Sequence, residues 1–128
     1  MDELAIIITP DGFVTTLAFA DLAETGHSAE RYMHIRELID AAESRGATIP
    51  HSGGLVVWVD SREASTRRSL NMIGSVTVAK ALGSPLPAIY GSVIITGGRA
   101  EEPQALSEPQ VIAALNHLDL QLTTESVI

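Results

Sequence analysis

Cysteine is absent from the 128 residues of this chain, and aromatic residues make up only 4% of it. Without a thiol the chain can form neither disulfides nor thiolate metal sites, and a reducing compartment is its natural environment. Because aromatic rings are scarce, the core has to be built from aliphatic side chains, and the hydrophobic content of 45% supplies them. Such a composition is typical of a folded globular protein.

Long hydrophobic runs are also missing, since no apolar stretch reaches the ~20 residues of a membrane-spanning helix. Asp2 and Glu3 stand where a signal peptide carries positive charge, and Pro10 interrupts the apolar stretch that follows them. We therefore expect a cytoplasmic protein without a membrane segment. The length predicts a single domain at residues 1–118, with residues 119–128 as a loosely held C-terminal tail.

Positive charge is scarce, with 8 Lys and Arg against 16 Asp and Glu, for a net charge of −8. This balance argues against direct nucleic-acid binding, which depends on neutralising phosphates. The distribution is uneven, because residues 61–99 contain five bases and one acid, whereas 1–60 and 100–128 are both acidic. Such asymmetry points to an anionic ligand or to self-association.

The order of predicted elements indicates an α+β fold. Two β-rich stretches, 4–9 and 13–19, flank the turn sequence PDG and predict an N-terminal β-hairpin. Further strands are predicted at 47–49, 55–60 and 88–98, and helices at 28–46, 69–83 and 107–118. Because strands come in runs, we expect one mixed sheet of four to five strands, with about three helices packed mainly on one face.

Helix ends are marked by residues with capping chemistry. Gly46 is the predicted stop of the first helix and Gly83 that of the second. Ser107 and Gln110 have the spacing of a capping box at the start of the third helix. The second helix is predicted from apolar residues at helical spacing: Leu70, Ile73, Val76 or Thr77, and Lys80 or Ala81.

The stretches IIITPDGFV, GGLVVWVDSR and IYGSVIITG, with an asparagine and small residues between the last two, resemble the family known as domain of unknown function 3846. The resemblance covers about residues 4–98. Its signature positions are Asp11, Gly12, Trp58, Asp60, Asn71, Gly91 and Gly97. Region 61–70 is longer and richer in arginine than the family pattern. The resemblance implies a phage or mobile-element accessory protein of the bacterial cytoplasm, with no established activity, cofactor or catalytic residue.

An arginine-rich stretch, REASTRRS, follows the strand 55–60 and precedes the second helix. Guanidinium groups, hydroxyls and a helix start together suit a phosphate or carboxylate. The candidate ligand-binding residues are Arg62, Ser65, Thr66, Arg67, Arg68 and Asn71, joined by Arg99 if the strand ends meet. The alternative, which we favour, is a solvated face or pairing with the acidic segments. For Asn71, a cap or loop tie is at least as well supported as a ligand contact.

Other polar motifs predict neither a cofactor nor a metal site. In HSGG (51–54), a turn before a strand is favoured over a catalytic His-Ser pair or a phosphate loop. The four histidines lack metal-ligand spacing, and no complete dinucleotide-binding motif is present. A hydrolase would need Asp60 beside a histidine, and a lone carboxylate does not establish one.

Three functions of different classes remain open at this point. The favoured one is a small acidic accessory protein that binds a host or phage protein. The alternative is a binder of a small phosphate-bearing ligand through 61–99, and the least supported is a hydrolase. A homodimer, formed through edge strands of the hairpin and an aliphatic surface, is compatible with either binding function.

Overall fold

A computed structural model describes residues 4–19, 44–50, 52–60, 69–83, 88–99 and 102–123. The strands are β1 (Leu4–Ile8), β2 (Val14–Ala18), β3 (Ser44–Ile49), β4 (Leu55–Asp60), β5 (Val93–Arg99) and β6 (Glu102–Gln104). The described helices are α1 (Met72–Leu82), which lies between β4 and β5, and α2 (Glu108–His117), which follows β6.

The strands form one six-stranded sheet in the order β2-β1-β5-β4-β3, with β6 paired to β5 outside this path. The α+β class is confirmed. The prediction of a mixed sheet was wrong, because every pairing between the described strands is antiparallel. The sheet also has one strand more than the four to five expected, since β6 was not predicted.

The N-terminal hairpin is confirmed. Strands β1 and β2 pair from Leu4 opposite Ala18 to Ile8 opposite Val14. In the turn, Gly12 has a φ of 92°, a conformation that glycine adopts without strain. Its N–H donates to the carbonyl of Thr9 over 3.0 Å, so the PDG turn closes as its sequence predicts.

The end of the first predicted helix differs from the structure. Residues 20–43 lie outside the described residues. Residues 44–46, which were predicted to end the helix, form the first part of β3. Gly46 is therefore no helix stop; it lies opposite Trp58 of β4, and a Cβ on it would come within 2.6 Å of the indole ring. A glycine in a strand commonly marks such a close approach.

Both faces of the sheet are buried. Alternation along each strand sends one set of side chains to each face. Both described helices pack against the first face. The core there joins strand residues (Ile6, Ile8, Leu55, Val57, Val93 and Ile95) with residues of α2 (Val111, Ala114 and Leu115). The second face contains Ala5, Phe19, Val56, Trp58 and Ile94. Burial on both faces explains why β4 is a continuous apolar run.

Helix α2 begins as predicted, with a complete capping box. Gln110 N–H donates to Ser107 Oγ, and Ser107 N–H donates to Gln110 Oε1 over 2.7 Å. The apolar residues Val111, Ala114 and Leu115 face the sheet. The predicted packing of helices on one face holds for the two helices that the structure describes, and neither is long and apolar enough to cross a membrane.

The start of β5 was corrected, and the first residues of the predicted C-terminal tail are described. Strand β5 begins at Val93 rather than at residue 88, because Gly91, with a φ of 83°, bends the chain before it. Residues 119–123 of the predicted tail are tied to the fold, since Thr123 N–H donates to the Val14 carbonyl over 2.7 Å. The hydroxyl of Thr123 accepts the N–H of Val14. Residues 124–128 lie outside the described residues.

Candidate functional site

Helix α1 exposes the large apolar residues of its first half and buries mainly small residues, together with Val78. Gly74, Ser75, Thr77 and Val78 are buried against the sheet. Met72, Ile73 and Val76 are exposed, Met72 by 59% and Val76 by 40%. A surface helix normally buries its apolar stripe and exposes its polar one. The outward face of α1 is therefore an apolar surface that the described residues leave open to contact.

The inward face of α1 tolerates hydroxyl groups because each is hydrogen-bonded. Ser75 Oγ donates to the Asn71 carbonyl over 2.7 Å and accepts the N–H of Ile89 over 2.9 Å. Thr77 Oγ1 donates to the Ile73 carbonyl over 2.7 Å. Two of these bonds satisfy the hydroxyls within the helix and its cap, and the bond from Ile89 ties α1 to the segment before β5.

Asn71 is the N-cap of α1 and is completely buried. Its Oδ1 accepts the N–H of Gly74 over 2.7 Å, and its Nδ2 donates to the carbonyls of Ile8 and Gly91, both over 2.9 Å. The side chain thus ties the start of α1 to β1 and to the segment before β5. The structure gives Asn71 the role of cap and tie, and leaves none of its polar atoms directed at a ligand.

A groove of about 250 Å³ runs beside the exposed face of α1. Residues of α1 from Met72 to Lys80 form one wall, and the segment 118–120 after α2 forms the other. Eight residues of helix rise about 12 Å, which sets the length of the α1 wall. Most of the lining is aliphatic: Met72, Ile73, Val76, Leu118 and Leu120.

Two more exposed apolar residues, Phe13 and Leu122, belong to segments that adjoin residues lining this groove. Phe13 follows Gly12, on which a Cβ would lie 3.8 Å from Ile73 Cδ1. Leu122 precedes Thr123, which is hydrogen-bonded to the residue after Phe13. We define the α1 surface as the exposed residues Met72, Ile73 and Val76 together with the groove that they line. Contiguous apolar surface of this kind marks interaction sites in folded proteins.

An ion pair spans one end of the groove. Lys80 Nζ lies 3.5 Å from Asp119 Oδ2, and the two side chains are 58% and 87% exposed. Such an exposed pair contributes at most about 1 kcal/mol, so an incoming side chain can replace either partner at little cost. Asp11, also exposed, stands in the turn beside Phe13.

Most of the sequence-predicted anion site falls outside the described residues: Arg62, Ser65, Thr66, Arg67 and Arg68. The two members that are described are separated. Asn71 bonds to Gly91 just before β5, whereas Arg99 ends that strand, and seven strand residues span about 20 Å. Because β4 and β5 are antiparallel, Asp60 and Arg99 lie at opposite ends of the sheet. The ends of β4 and β5 at Asp60 and Arg99 therefore do not meet, and the site predicted from Arg62 to Arg68 stays a prediction.

Residues 52–54 of HSGG bend the chain just before β4, which agrees with the turn that the sequence favoured. Ser52 Oγ donates to the Ile49 carbonyl over 2.6 Å and accepts the N–H of Leu55 over 3.0 Å. Within the described ranges, no group of three or more His, Asp or Glu side chains is placed to hold a metal ion. His51 and the side chain of Asp60 are outside the described part, so the hydrolase hypothesis stays a prediction.

Sequence reasoning missed the α1 surface, although a signal was present. The apolar spacing of Ile73 and Val76 predicted a helix but did not say which face is buried. The small residues Gly74, Ser75 and Thr77 form the opposite face, and small side chains allow a helix to approach a sheet closely. A helix with one small-residue face and one large apolar face has two surfaces that can be buried.

Comparison with known proteins adds no relative to this picture: no protein-family model, no curated protein and no solved structure matches the chain. The resemblance to domain of unknown function 3846 therefore stays a prediction.

Proposed function

We propose that this chain acts by binding another protein through the α1 surface. The observation that carries the proposal is the outward orientation of α1, with Met72, Ile73 and Val76 exposed and Gly74, Ser75 and Thr77 buried. Exposing large apolar side chains costs free energy unless a partner covers them, at about 25 cal/mol per Å².

The shape of the groove favours a protein segment over a small molecule. Its volume of about 250 Å³ is smaller than that of a typical ligand pocket, which is about 300–1,000 Å³. The cation that lines it, Lys80, is already paired with Asp119, so the groove offers little to a phosphate. Aliphatic walls of this size suit a few side chains that project from a protein surface.

Charge favours a different protein over a second copy of this chain. Each copy carries a net charge of −8, and two such copies repel one another at physiological salt. The same negative charge attracts a partner with a cationic surface. The resemblance to a phage and mobile-element family supports a host or phage protein in the bacterial cytoplasm as that partner.

The test begins with a photocrosslinker placed in the surface. We would produce the chain in bacteria with Val76→p-benzoylphenylalanine, and in parallel with Ile112→p-benzoylphenylalanine. Ile112 is a matched control, because it is a β-branched residue in the middle of α2, 55% exposed and not part of the groove lining. A protein crosslinked from position 76 and not from position 112 would be identified by mass spectrometry and purified.

Binding of that purified protein would then be measured by calorimetry. We expect Val76→Lys to weaken the affinity at least about tenfold, because it buries an ammonium group in an apolar interface, and Ile112→Lys to leave it unchanged. Equal affinity for wild type and Val76→Lys would refute the proposal. Crosslinks from position 76 only to a second copy of the chain would refute it in favour of a homodimer.

Binding of a phosphate-bearing ligand through 61–99 remains a second proposal that rests on the sequence alone. Native mass spectrometry of protein purified without harsh desalting would reveal a retained anion. If such a ligand stabilises the protein, the double variant Arg67→Ala with Arg68→Ala should abolish the increase in melting temperature. An unchanged increase would exclude these two arginines as its site.

A further inference from the structure

The groove beside α1 has features that specify the form of its occupant. Building on the proposed function, we infer that the α1 surface takes an amphipathic helix of about two turns, with a basic residue beyond the apolar anchor that lies nearest Asp119. Backbone hydrogen bonding, groove length and charge each contribute one part of this inference.

Backbone hydrogen bonding excludes an extended strand as the occupant. On one wall, the N–H groups of Leu118, Asp119 and Leu120 already donate to the carbonyls of Ala114, Asn116 and Leu115. On the other wall, the backbone of α1 is hydrogen-bonded within the helix past its first turn. A strand needs a free backbone ladder to dock, which neither wall provides, whereas a helix satisfies its own backbone groups.

The groove length fits two turns of helix. Apolar anchors at positions i, i+3 or i+4, and i+7 of an incoming helix span about 10 Å, and the α1 wall is about 12 Å long. Met72 and Ile73 stand at one end of the wall and Val76 in its middle. No aromatic side chain is among the residues that line the groove, and proline-rich segments bind aromatic-lined grooves.

The charged residues at the edge of the groove favour a basic residue in the incoming helix. Asp119 lines the groove beside Lys80. A lysine or arginine one turn past the last anchor can replace Lys80 as the partner of Asp119. This exchange costs little, because both side chains of the existing pair are largely exposed. An acidic residue at the same position could pair only with Lys80, and the net charge of −8 on the whole chain disfavours it.

The test is a selection from displayed random 16-residue peptides on the full-length protein. Parallel selections would use Val76→Lys, Asp119→Asn and the matched control Ile112→Lys. Asparagine is chosen at position 119 because Asp119 has a φ of 56°, which asparagine adopts nearly as readily as aspartate. Peptides enriched on the wild type would be synthesised and their dissociation constants measured by fluorescence anisotropy.

We expect enriched peptides to carry apolar residues at i, i+3 or i+4, and i+7, with Lys or Arg one turn beyond one end of this pattern, and to become helical on binding. Their affinity should fall at least about tenfold with Val76→Lys and about three- to fivefold with Asp119→Asn, and stay unchanged with Ile112→Lys.

Two failures are distinguishable. In the first failure, the peptides lose binding with Val76→Lys but are extended, proline-rich or acidic at the flank. This result would overturn the helix inference and leave the proposed function standing. A selection that yields no peptide sensitive to Val76→Lys would overturn both.

Discussion

Asn71 joins three parts of the molecule through one side chain. It caps α1, bonds to the carbonyl of Ile8 in β1 and bonds to that of Gly91 before β5. Replacing it with alanine leaves one buried N–H and two buried carbonyls without their partner. Since each buried group without a hydrogen bond costs about 1–3 kcal/mol, we expect Asn71→Ala to lower the free energy of unfolding by about 3 kcal/mol or more. Urea denaturation followed by circular dichroism measures it.

The control for this variant is Asn116→Ala. Asn116 is exposed on α2, and surface substitutions of this kind stay within about 0.5 kcal/mol. If Asn71→Ala cost no more than Asn116→Ala, the three hydrogen bonds of Asn71 would not contribute to stability.

Gly46 makes room for the indole ring of Trp58. A Cβ at position 46 would lie 2.6–2.8 Å from three ring carbons, and Trp58 Nε1 is fixed by a 2.8 Å hydrogen bond to Thr96 Oγ1. Because the ring cannot move without straining this bond, we expect Gly46→Ala to destabilise the protein by about 1–3 kcal/mol.

Trp58 is the single tryptophan of the chain, so its fluorescence reports on its own packing in this variant. We expect a lower urea midpoint and altered emission of the folded state for Gly46→Ala. Thr48→Ala, at an exposed position of the same strand, should leave the emission unchanged. Native emission and an unchanged midpoint in Gly46→Ala would show that the ring can shift without cost.

At the contact between the elements α1 and β5, we expect a glycine-to-alanine substitution to have the opposite of its usual effect on helix stability. Glycine to alanine inside a helix normally stabilises by up to about 1 kcal/mol. A Cβ on Gly74 would lie 2.8 Å from both Asn71 Cγ and Val93 Cγ2, so the helix would have to move off the sheet or displace its own cap. We therefore expect Gly74→Ala to lower the melting temperature, measured by calorimetry. A higher melting temperature would show that α1 has room to shift.

The elements that sequence predicted are those whose signals are local. The PDG turn defines the first hairpin, Ser107 and Gln110 define the start of α2, and Gly83, with a φ of 64°, ends α1 as predicted. In each case a few neighbouring residues determine the local geometry, so no distant contact is needed to predict it.

The elements that sequence missed depend on strand pairing, even where, as in β5 and β6, the paired residues are close in the chain. Residues 44–46 continue a helical pattern but pair with β4, and Gly46 fits there because Trp58 covers it. Strand β6 contains Pro103, which has low β-propensity, and forms because the chain turns back onto the end of β5. Tertiary pairing overrides local propensity at both places.

The same distinction applies to the candidate site. The spacing of apolar residues predicted the helix at 72–82. It could not predict which face of the helix is exposed, because that depends on how closely α1 approaches the sheet. Asn71 was singled out as a candidate ligand contact or cap, and only its burial decides between the two. The arginine cluster was found from composition, and composition does not say where residues lie in space.

At the scale of the whole molecule, the sheet couples two cores. One set of side chains packs with α1 and α2, and the other packs around Trp58, yet both project from the same strands β1, β4 and β5. Losing either core removes support from strands that the other core needs. We therefore expect a single cooperative unfolding transition, as small single domains usually show.

The measurement compares two probes along one urea titration. Trp58 fluorescence reports the second face of the sheet, and far-ultraviolet circular dichroism includes the helices on the first face. The two curves should coincide, with the same midpoint and slope. If the dichroism signal fell first while Trp58 stayed buried, the helical layer would unfold separately. The α1 surface would then belong to a layer that can open independently of the sheet, and its outward apolar face would no longer argue for a preformed binding site.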